Sequence, residues 1–225
     1  MTPPAPTPAA VIRAGGLATI VGGALFALFP LLHPDHTEAG YTSATWVPIH
    51  LMPNLGAILV LFGLVGLLIR QFQRAGWIGL AGFVVAFIGT ASFVMGAMIE
   101  MFIIPFLGLQ NPAFEEGPPP AGIGEAFMVI NLLFAAGYIL LGIATVRARV
   151  MPASVGALLI LGALALLFME RVAALVGAGD ALWVLGPVIL GAGLAWLGYA
   201  LWSGPVTGEA DRSRRRQAAA SGAAL

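Results

Sequence analysis

Side chains suited to binding a divalent metal lie close together near the end of the first long apolar segment. His33, Asp35 and His36 fall within the stretch PLLHPDHTE. Imidazole and carboxylate groups are ligands that zinc and similar divalent ions take in proteins. His50 and Glu100 lie in the next two apolar segments and complete a ligand set if those segments pack beside the first. The spacing matches neither HExxH nor a paired His-x3-His motif, so it predicts a metal site without defining its chemistry.

A second group of polar side chains lies within the apolar segments themselves. A charge in hydrocarbon is costly, and an ionisable residue there marks a candidate functional site. At 1.5 Å of rise per helical residue, these residues share a depth of roughly 5–15 Å below the outer membrane boundary. The predicted ligand-binding residues are His50, Asn54, Glu100, Asn131, Glu170 and Arg171.

Arg171 decides how this outer cluster is interpreted. It is the only arginine on the outer side of the predicted topology, so it is a natural counter-ion for Glu100 or Glu125. Glu125 lies closer to the boundary, where its carboxylate can reach headgroups or water. A buried ion pair can be purely architectural. The cluster is therefore either a ligand site or a structural ion-pair network, and the sequence leaves both open.

The composition places the chain among membrane proteins. Of its 225 residues, 60% are hydrophobic and 9% are charged, whereas soluble domains carry about 25% charged residues. The net charge is zero, which gives no electrostatic basis for binding nucleic acid. The chain has no cysteine, which excludes disulfides, thiolate metal sites and cysteine nucleophiles.

Six apolar segments are long enough to span a bilayer, which takes about 20 residues. The sequence therefore predicts an all-α bundle of six transmembrane helices over residues 11–202. A Pro-rich tail, residues 1–10, and a polar tail, residues 203–225, are predicted to be disordered. The predicted helices cover residues 11–32, 46–69, 77–104, 122–146, 152–176 and 181–202.

Arginine placement predicts the orientation of these helices. Nine of the ten arginines fall at the start of the first segment, in the second and fourth connections, or after the last segment. Short cytoplasmic loops carry the excess of basic residues. Both termini are therefore predicted to be cytoplasmic, in a multi-pass protein of the bacterial inner membrane whose first partner is the lipid bilayer.

Stripes of small residues predict which helix faces turn inward. Gly89, Ser92, Gly96 and Glu100 recur at helical spacing and end at the carboxylate. Small residues let transmembrane helices approach closely, so Glu100 is expected at a helix interface rather than toward lipid. Gly156, Ala163 and Glu170 form a similar stripe, and Gly15, Thr19 and Gly23 form a third.

The segment TWVPIHLMPNLGAILVLFGLVGLLIRQFQRAGWIGLAGFVVAFIGTASF carries a family resemblance. Its features are the spacing of Trp46 and His50 at the start of the second helix, the arginine-containing turn and the glycine-spaced third helix. In these features the chain resembles uncharacterised six-helix bacterial integral membrane proteins catalogued as DUF4386-like. The resemblance implies a six-helix membrane fold and transfers no catalytic residue.

Three functional hypotheses follow from these residues. In the first, a non-catalytic membrane protein binds a small ligand, an ion or a lipid headgroup in an outer polar cavity. In the second, His33, His36, His50 and Glu100 hold a metal ion in a membrane-embedded enzyme, and a carboxylate acts as the base. In the third, the chain is an accessory subunit that packs against a membrane-protein partner or a second copy of itself.

Other cofactors and catalytic motifs fit the sequence less well. The only bis-histidine pair available for haem is His33 with His50. Both are expected near the membrane surface, which disfavours haem. The chain lacks the GxSxG motif of serine hydrolases.

Overall fold

The chain folds into helices joined by short connections. The computed structural model describes residue 5 and residues 7–111, 122–177 and 182–205, apart from the Glu170 side chain. No strand occurs in these ranges, so the all-α prediction is confirmed. The helical elements are α1 (Pro8–Leu32), α2 (Glu38–Tyr41), α3 (Trp46–Met98), a π-helical turn (Ile99–Ile103), α4 (Ile104–Gln110), α5 (Ile123–Ala148), α6 (Ala153–Val176) and α7 (Leu185–Ser203).

Helix α3 is a helical hairpin whose turn lies at Gly76. This glycine has φ 60° and ψ −157°, a conformation that a residue without Cβ adopts at little cost. Residues 77–98 then run back along residues 46–75. The side chain of Asn54 in the first arm donates from Nδ2 to the carbonyl of Val94 in the second arm at 3.3 Å, so the two arms lie side by side. The predicted segments 46–69 and 77–104 thus lie on either side of this break.

The long helices close into a ring. Helix α1 packs against α3 and α7, α3 against α5, α5 against α6, and α6 against α7. A single large apolar core fills the interior and includes Phe26, Leu64, Phe134 and Leu194. Within it, the hydroxyl groups of Thr90 and Tyr138 form a buried hydrogen bond of 2.9 Å. Because the ring closes, α1 and α7 lie side by side although they are far apart in the sequence.

Reciprocal glycine contacts bring the helix backbones together. A Cβ atom on Gly23 would lie 2.6 Å from the carbonyl oxygen of Gly191, and one on Gly191 would lie 2.6 Å from that of Gly23. Gly16 and Gly198 form an equivalent pair one heptad away. Gly23 therefore faces α7, whereas Gly15 faces Phe62 of α3. The predicted stripe on α1 serves two neighbouring helices rather than one.

Proline and hydroxyl residues set the ends of α1. Pro8 occupies the first turn, where its missing N–H costs nothing, and Thr7 Oγ1 accepts the amide of Ala10 at 3.2 Å. At the other end His33 precedes Pro34, which disfavours helical backbone at the preceding residue. His33 accordingly adopts φ −62° and ψ 122°. The chain turns away from α1 at this histidine.

The outer surface of the bundle is apolar, as a membrane environment requires. Within the part of the chain that the structure describes, four helices are long and apolar enough to cross a bilayer: α1, α5, α7 and the continuous helical stretch Trp46–Gln110. Large side chains such as Phe62, Met95, Phe106 and Leu161 point outward and are more than half exposed. Half of the predicted N-terminal tail and most of the predicted C-terminal tail lie outside the described residues, and residues 8–10 of the first belong to α1.

Candidate metal centre and cavity

All three histidines of the chain meet at one end of the bundle. His33 lies at the C-terminal end of α1, His36 in the following loop, and His50 in the second turn of α3. The ring centroid of His33 is 4.8 Å from that of His50 and 5.1 Å from that of His36. All three rings line the same cavity. The structure therefore brings together residues that the sequence separates by up to 17 positions.

Local sequence holds His36 over the end of α1. The extended backbone at His33 sends the chain into a short loop, and Thr37 then caps α2 by accepting the amide of Gly40 at 3.2 Å. Tyr41 packs its ring against His36 at 6.1 Å and against Trp46 at 4.9 Å. The aromatic contacts fix the loop between α1 and α3.

Glu100 enters the same site from a π-helical turn. The residues Ile99–Ile103 form this turn. Turns of this kind are rare in proteins, and those that occur often lie at functional sites. Pro105 follows and has no N–H to donate to Met101, four residues earlier. The Met101 carbonyl instead accepts the indole N–H of Trp46 at 3.0 Å. The proline thus frees a carbonyl that ties this turn to the start of α3.

The Glu100 carboxylate forms a compact group with two histidines. His36 Nε2 donates to Glu100 Oε1 at 2.6 Å. One ligand atom from each of His33, His36 and Glu100 lies within 4.8 Å of the other two. His33 and Glu100 are partly buried, whereas His36 is exposed. Two imidazoles and one carboxylate at this spacing form a donor set of the kind that holds zinc.

His50 lies deeper than this group and has one unused nitrogen. The residue is 1% exposed, and its ring stacks on Trp46 with centroids 4.1 Å apart. Nδ1 contacts the Trp46 carbonyl at 2.8 Å. Because a carbonyl oxygen only accepts, Nδ1 carries the proton and Nε2 of the neutral ring keeps its lone pair. Among the described residues, Nε2 has no hydrogen-bond partner.

The surroundings of His33 favour its neutral form. Burial, first, and the neighbouring His50 and His36 lower the pKa of His33 to about 4, although Glu100 acts in the opposite direction. A neutral imidazole is the form that binds a metal. At neutral pH His33 therefore needs no deprotonation to act as a ligand.

A cavity of about 830 Å³ extends from the histidines between the helices. Its polar groups, apart from Asn131, gather at the end formed by the loop and the π-helical turn. Its other walls are mainly aromatic and aliphatic. The apolar lining includes Phe26, Phe29, Phe93, Phe127, Ile130 and Leu166.

The remaining predicted site residues separate into two groups. Asp35 and Asn131 line the cavity, although Asp35 is outside the group formed by His33, His36 and Glu100. Asn54 instead joins the two arms of α3, and Glu125 accepts the amide of Gly122 at 2.8 Å to cap α5. Asn54 and Glu125 thus serve helix packing and helix capping.

Arg171 lies away from the cavity, contrary to its predicted place in the cluster. It is exposed, and its guanidinium donates to the Leu167 carbonyl one turn earlier at 2.9 Å. The described partner of Glu100 is His36 rather than Arg171. Because the Glu170 side chain is outside the described residues, its predicted role stays a prediction.

Sequence reasoning overlooked the aromatic shell around the imidazoles. Phe29 and Trp183 pack against His33 with ring centroids 5.0 and 5.5 Å away. The spacing of Phe29 and His33, one helical turn apart, indicates part of this shell. Trp183 lies two residues before α7, far from His33 in the sequence, and no local pattern connects it with the site.

The histidine arrangement also bears on haem. Two axial imidazoles lie on opposite sides of a porphyrin, whereas the rings of His33 and His50 contact each other edge to face. A porphyrin would have to force them apart. The donor set fits a single ion better than this cofactor.

In the residues that the structure describes, fold and site define a helical protein with helices apolar and long enough to span a membrane and a histidine–carboxylate cluster in the lining of a cavity. No protein-family model, curated protein or solved structure matches the chain.

Proposed function

We propose that this chain is a six-span protein of the bacterial inner membrane, with both termini in the cytoplasm. The break at Gly76 supports two spans within the continuous stretch Trp46–Gln110. Arg70 and Arg74 precede this break, and Arg147 and Arg149 lie at the turn between α5 and α6. Both turns thus carry the basic residues that mark cytoplasmic loops.

Single introduced cysteines test this topology, because the natural chain has none. Cysteine at Arg149 is expected to resist a membrane-impermeant maleimide in intact cells and to react after lysis. Cysteine at exposed Ala44, in the loop before α3, is expected to react in intact cells. The reverse labelling pattern contradicts the proposed orientation.

We infer that the cluster binds a divalent transition-metal ion, with zinc as the reference case. The observation that carries this inference is the approach of His33, His36 and Glu100 ligand atoms to within 4.8 Å of one another. Ligands of a tetrahedral zinc lie about 2 Å from the ion and therefore about 3.3 Å from each other. Side chains whose ligand atoms already lie within 4.8 Å of one another need to approach by at most about 1.5 Å to reach this spacing.

The three protein ligands favour an ion that keeps a fourth coordination position open for a bound molecule. Closed structural zinc sites use four protein ligands, whereas catalytic sites use three and leave a position open. The three ligands here border the cavity, so the fourth position can face it. A bound ion there can polarise an oxygen or activate water, which keeps the metal-dependent enzyme as an alternative to a binding protein.

Metal content measured on purified protein tests this function. We expect about one zinc per chain by mass spectrometry of the digested protein, with loss of at least 100-fold in affinity for His36→Ala or Glu100→Gln. Glu125→Gln is the matched control, because it makes the same change in a carboxylate that caps α5. Sub-stoichiometric metal after zinc loading, or equal affinity in Glu100→Gln and wild type, contradicts the proposal.

A further inference from the structure

The cavity is much larger than a metal ion requires. Its volume is about 830 Å³, whereas each water molecule around an ion takes about 30 Å³. Pockets of roughly 300–1,000 Å³ with apolar walls and few polar groups are typical of sites for small organic ligands. The space below the histidines thus has the dimensions of a ligand site.

The cavity is also divided by polarity along its length. The polar end of the cavity carries His33, His36, Glu100 and His50. The apolar part of its lining includes Phe26, Phe93 and Phe127. A ligand that matches this distribution has a polar head and an apolar chain. Such molecules are abundant in the bilayer that surrounds the bundle.

His50 specifies what the polar head must offer. Its Nε2 is buried and has no hydrogen-bond partner among the described residues, and His50 is one of the residues that line the cavity. A buried acceptor without a partner destabilises the structure, so a bound donor there is favourable. The head therefore combines an oxygen for the metal with an O–H or N–H group for His50.

We propose that the cavity binds a single-chain amphiphile with its chain among the phenylalanines. An oxygen of its head group coordinates the metal, and a hydroxyl or amide hydrogen of the same head donates to His50 Nε2. This inference rests on the proposed metal centre and adds the chemical class of its ligand.

Two hydroxamic acids of different chain length test the proposal. Octanohydroxamic and acetohydroxamic acid share a head that binds metals through oxygen and donates a hydrogen bond. Wild-type protein in lipid nanodiscs is loaded with Co²⁺, and binding is followed by the visible absorption of the cobalt. We expect the octanoyl compound to bind at least tenfold more tightly, because its chain buries apolar area.

A cavity-filling variant separates binding in the cavity from partition into lipid. Ala165 lines the cavity, whereas the adjacent Leu164 is exposed on the outer surface. Ala165→Phe is expected to reduce the advantage of the longer chain to about threefold or less, and Leu164→Phe is expected to preserve it. An equal chain-length advantage in Ala165→Phe and wild type overturns the proposal, because partition alone then explains it.

His50 variants test the head-group contact. His50→Phe keeps a ring to stack on Trp46 but removes the acceptor, and should weaken both compounds about tenfold while retaining cobalt. His50→Gln restores an acceptor and should recover part of the affinity. Unchanged affinity in His50→Phe overturns the role of Nε2.

Cobalt content is measured before either compound is added, so the two proposals fail in different ways. Protein that takes up no cobalt or zinc overturns the metal centre and this inference with it. Protein that holds cobalt but shows no chain-length advantage overturns the amphiphile site alone.

Discussion

The two parts of α1 on either side of Gly23 pack in opposite ways. Residues 8–23, called the closed half below, present glycines, and Gly16 and Gly23 lie backbone to backbone against α7. The rest of the helix, called the open half, presents Phe26, Phe29 and Pro30, followed by His33, and these residues border the cavity. One continuous helix therefore closes the bundle at one end and helps to open it at the other.

Side-chain size explains this difference. Two helices that contact each other through glycine lie so close together that no ligand fits between their backbones. Ring-bearing side chains hold neighbouring helices further apart, and the rings at the histidine end contact one another across the gap, as Phe26 contacts Phe93 with centroids 5.2 Å apart. The closed half provides stability, and the open half provides the space in which a metal and a ligand can bind.

Filling the closed half should have the largest effect. The Cβ of any residue replacing Gly23 would lie 2.5 Å from the Ala195 amide nitrogen. We expect Gly23→Leu to destabilise the bundle by about 3 kcal/mol or more, because α1 and α7 must separate. Thermal unfolding of purified protein in detergent measures this.

Ala24→Leu is the matched control for that change, since Ala24 is the next residue and is exposed. It should unfold within a few degrees of wild type. If both leucine variants unfold at the same temperature as wild type, the close glycine contact does not stabilise the fold.

A smaller effect is expected at the buried hydrogen bond of the core. Tyr138→Phe leaves the Thr90 hydroxyl without this partner and should cost about 1–2 kcal/mol. The double variant with Thr90→Val should cost less than the two single changes added together. Additive losses in unfolding free energy show that the two hydroxyl groups are not coupled.

A change in the π-helical turn sharpens the comparison at the open end. Pro105→Ala restores an N–H that competes with the Trp46 indole for the Met101 carbonyl. We expect zinc affinity to fall by about tenfold or less, because the turn that carries Glu100 shifts without losing a ligand. Competition with a zinc chelator measures the change.

Pro48→Ala, at the first turn of α3, is the control for substitution of a proline near the site. Its zinc affinity should match that of wild type, because the missing N–H of a first-turn proline has no helical partner to lose. Equal affinities in Pro105→Ala and Pro48→Ala indicate that the π-helical geometry is not needed for metal binding.

The smallest effect is expected when the open half is filled. Ala165→Phe adds a ring to the cavity wall, where space exists. The unfolding free energy should change by less than about 1 kcal/mol, in contrast with the loss in Gly23→Leu. Destabilisation as large as in Gly23→Leu would show that the cavity is filled by side chains in solution.

Much of the helical architecture could be predicted because each membrane-spanning helix requires a long apolar segment of sequence. Long apolar segments indicate α1, α5 and α7, and Gly76 lies between two predicted segments. The predicted inward position of Glu100 agrees with its place beside His36, since the glycine stripe before it packs on α5. Arg171 shows what could not be predicted from the sequence. Its place in an apolar segment indicates a costly charge, but not that its guanidinium donates to the Leu167 carbonyl.

Residue types and their spacing were enough to predict the membrane class, the helices and the small set of residues able to bind a metal. These properties depend on composition and on spacing within one helix. Helix packing alone brings the three histidines together, places Glu100 beside two of them and puts His50 in the lining of the cavity. These properties depend on how helices distant in sequence pack, and α1 lies beside α7 because their glycines are complementary in space rather than close in the chain.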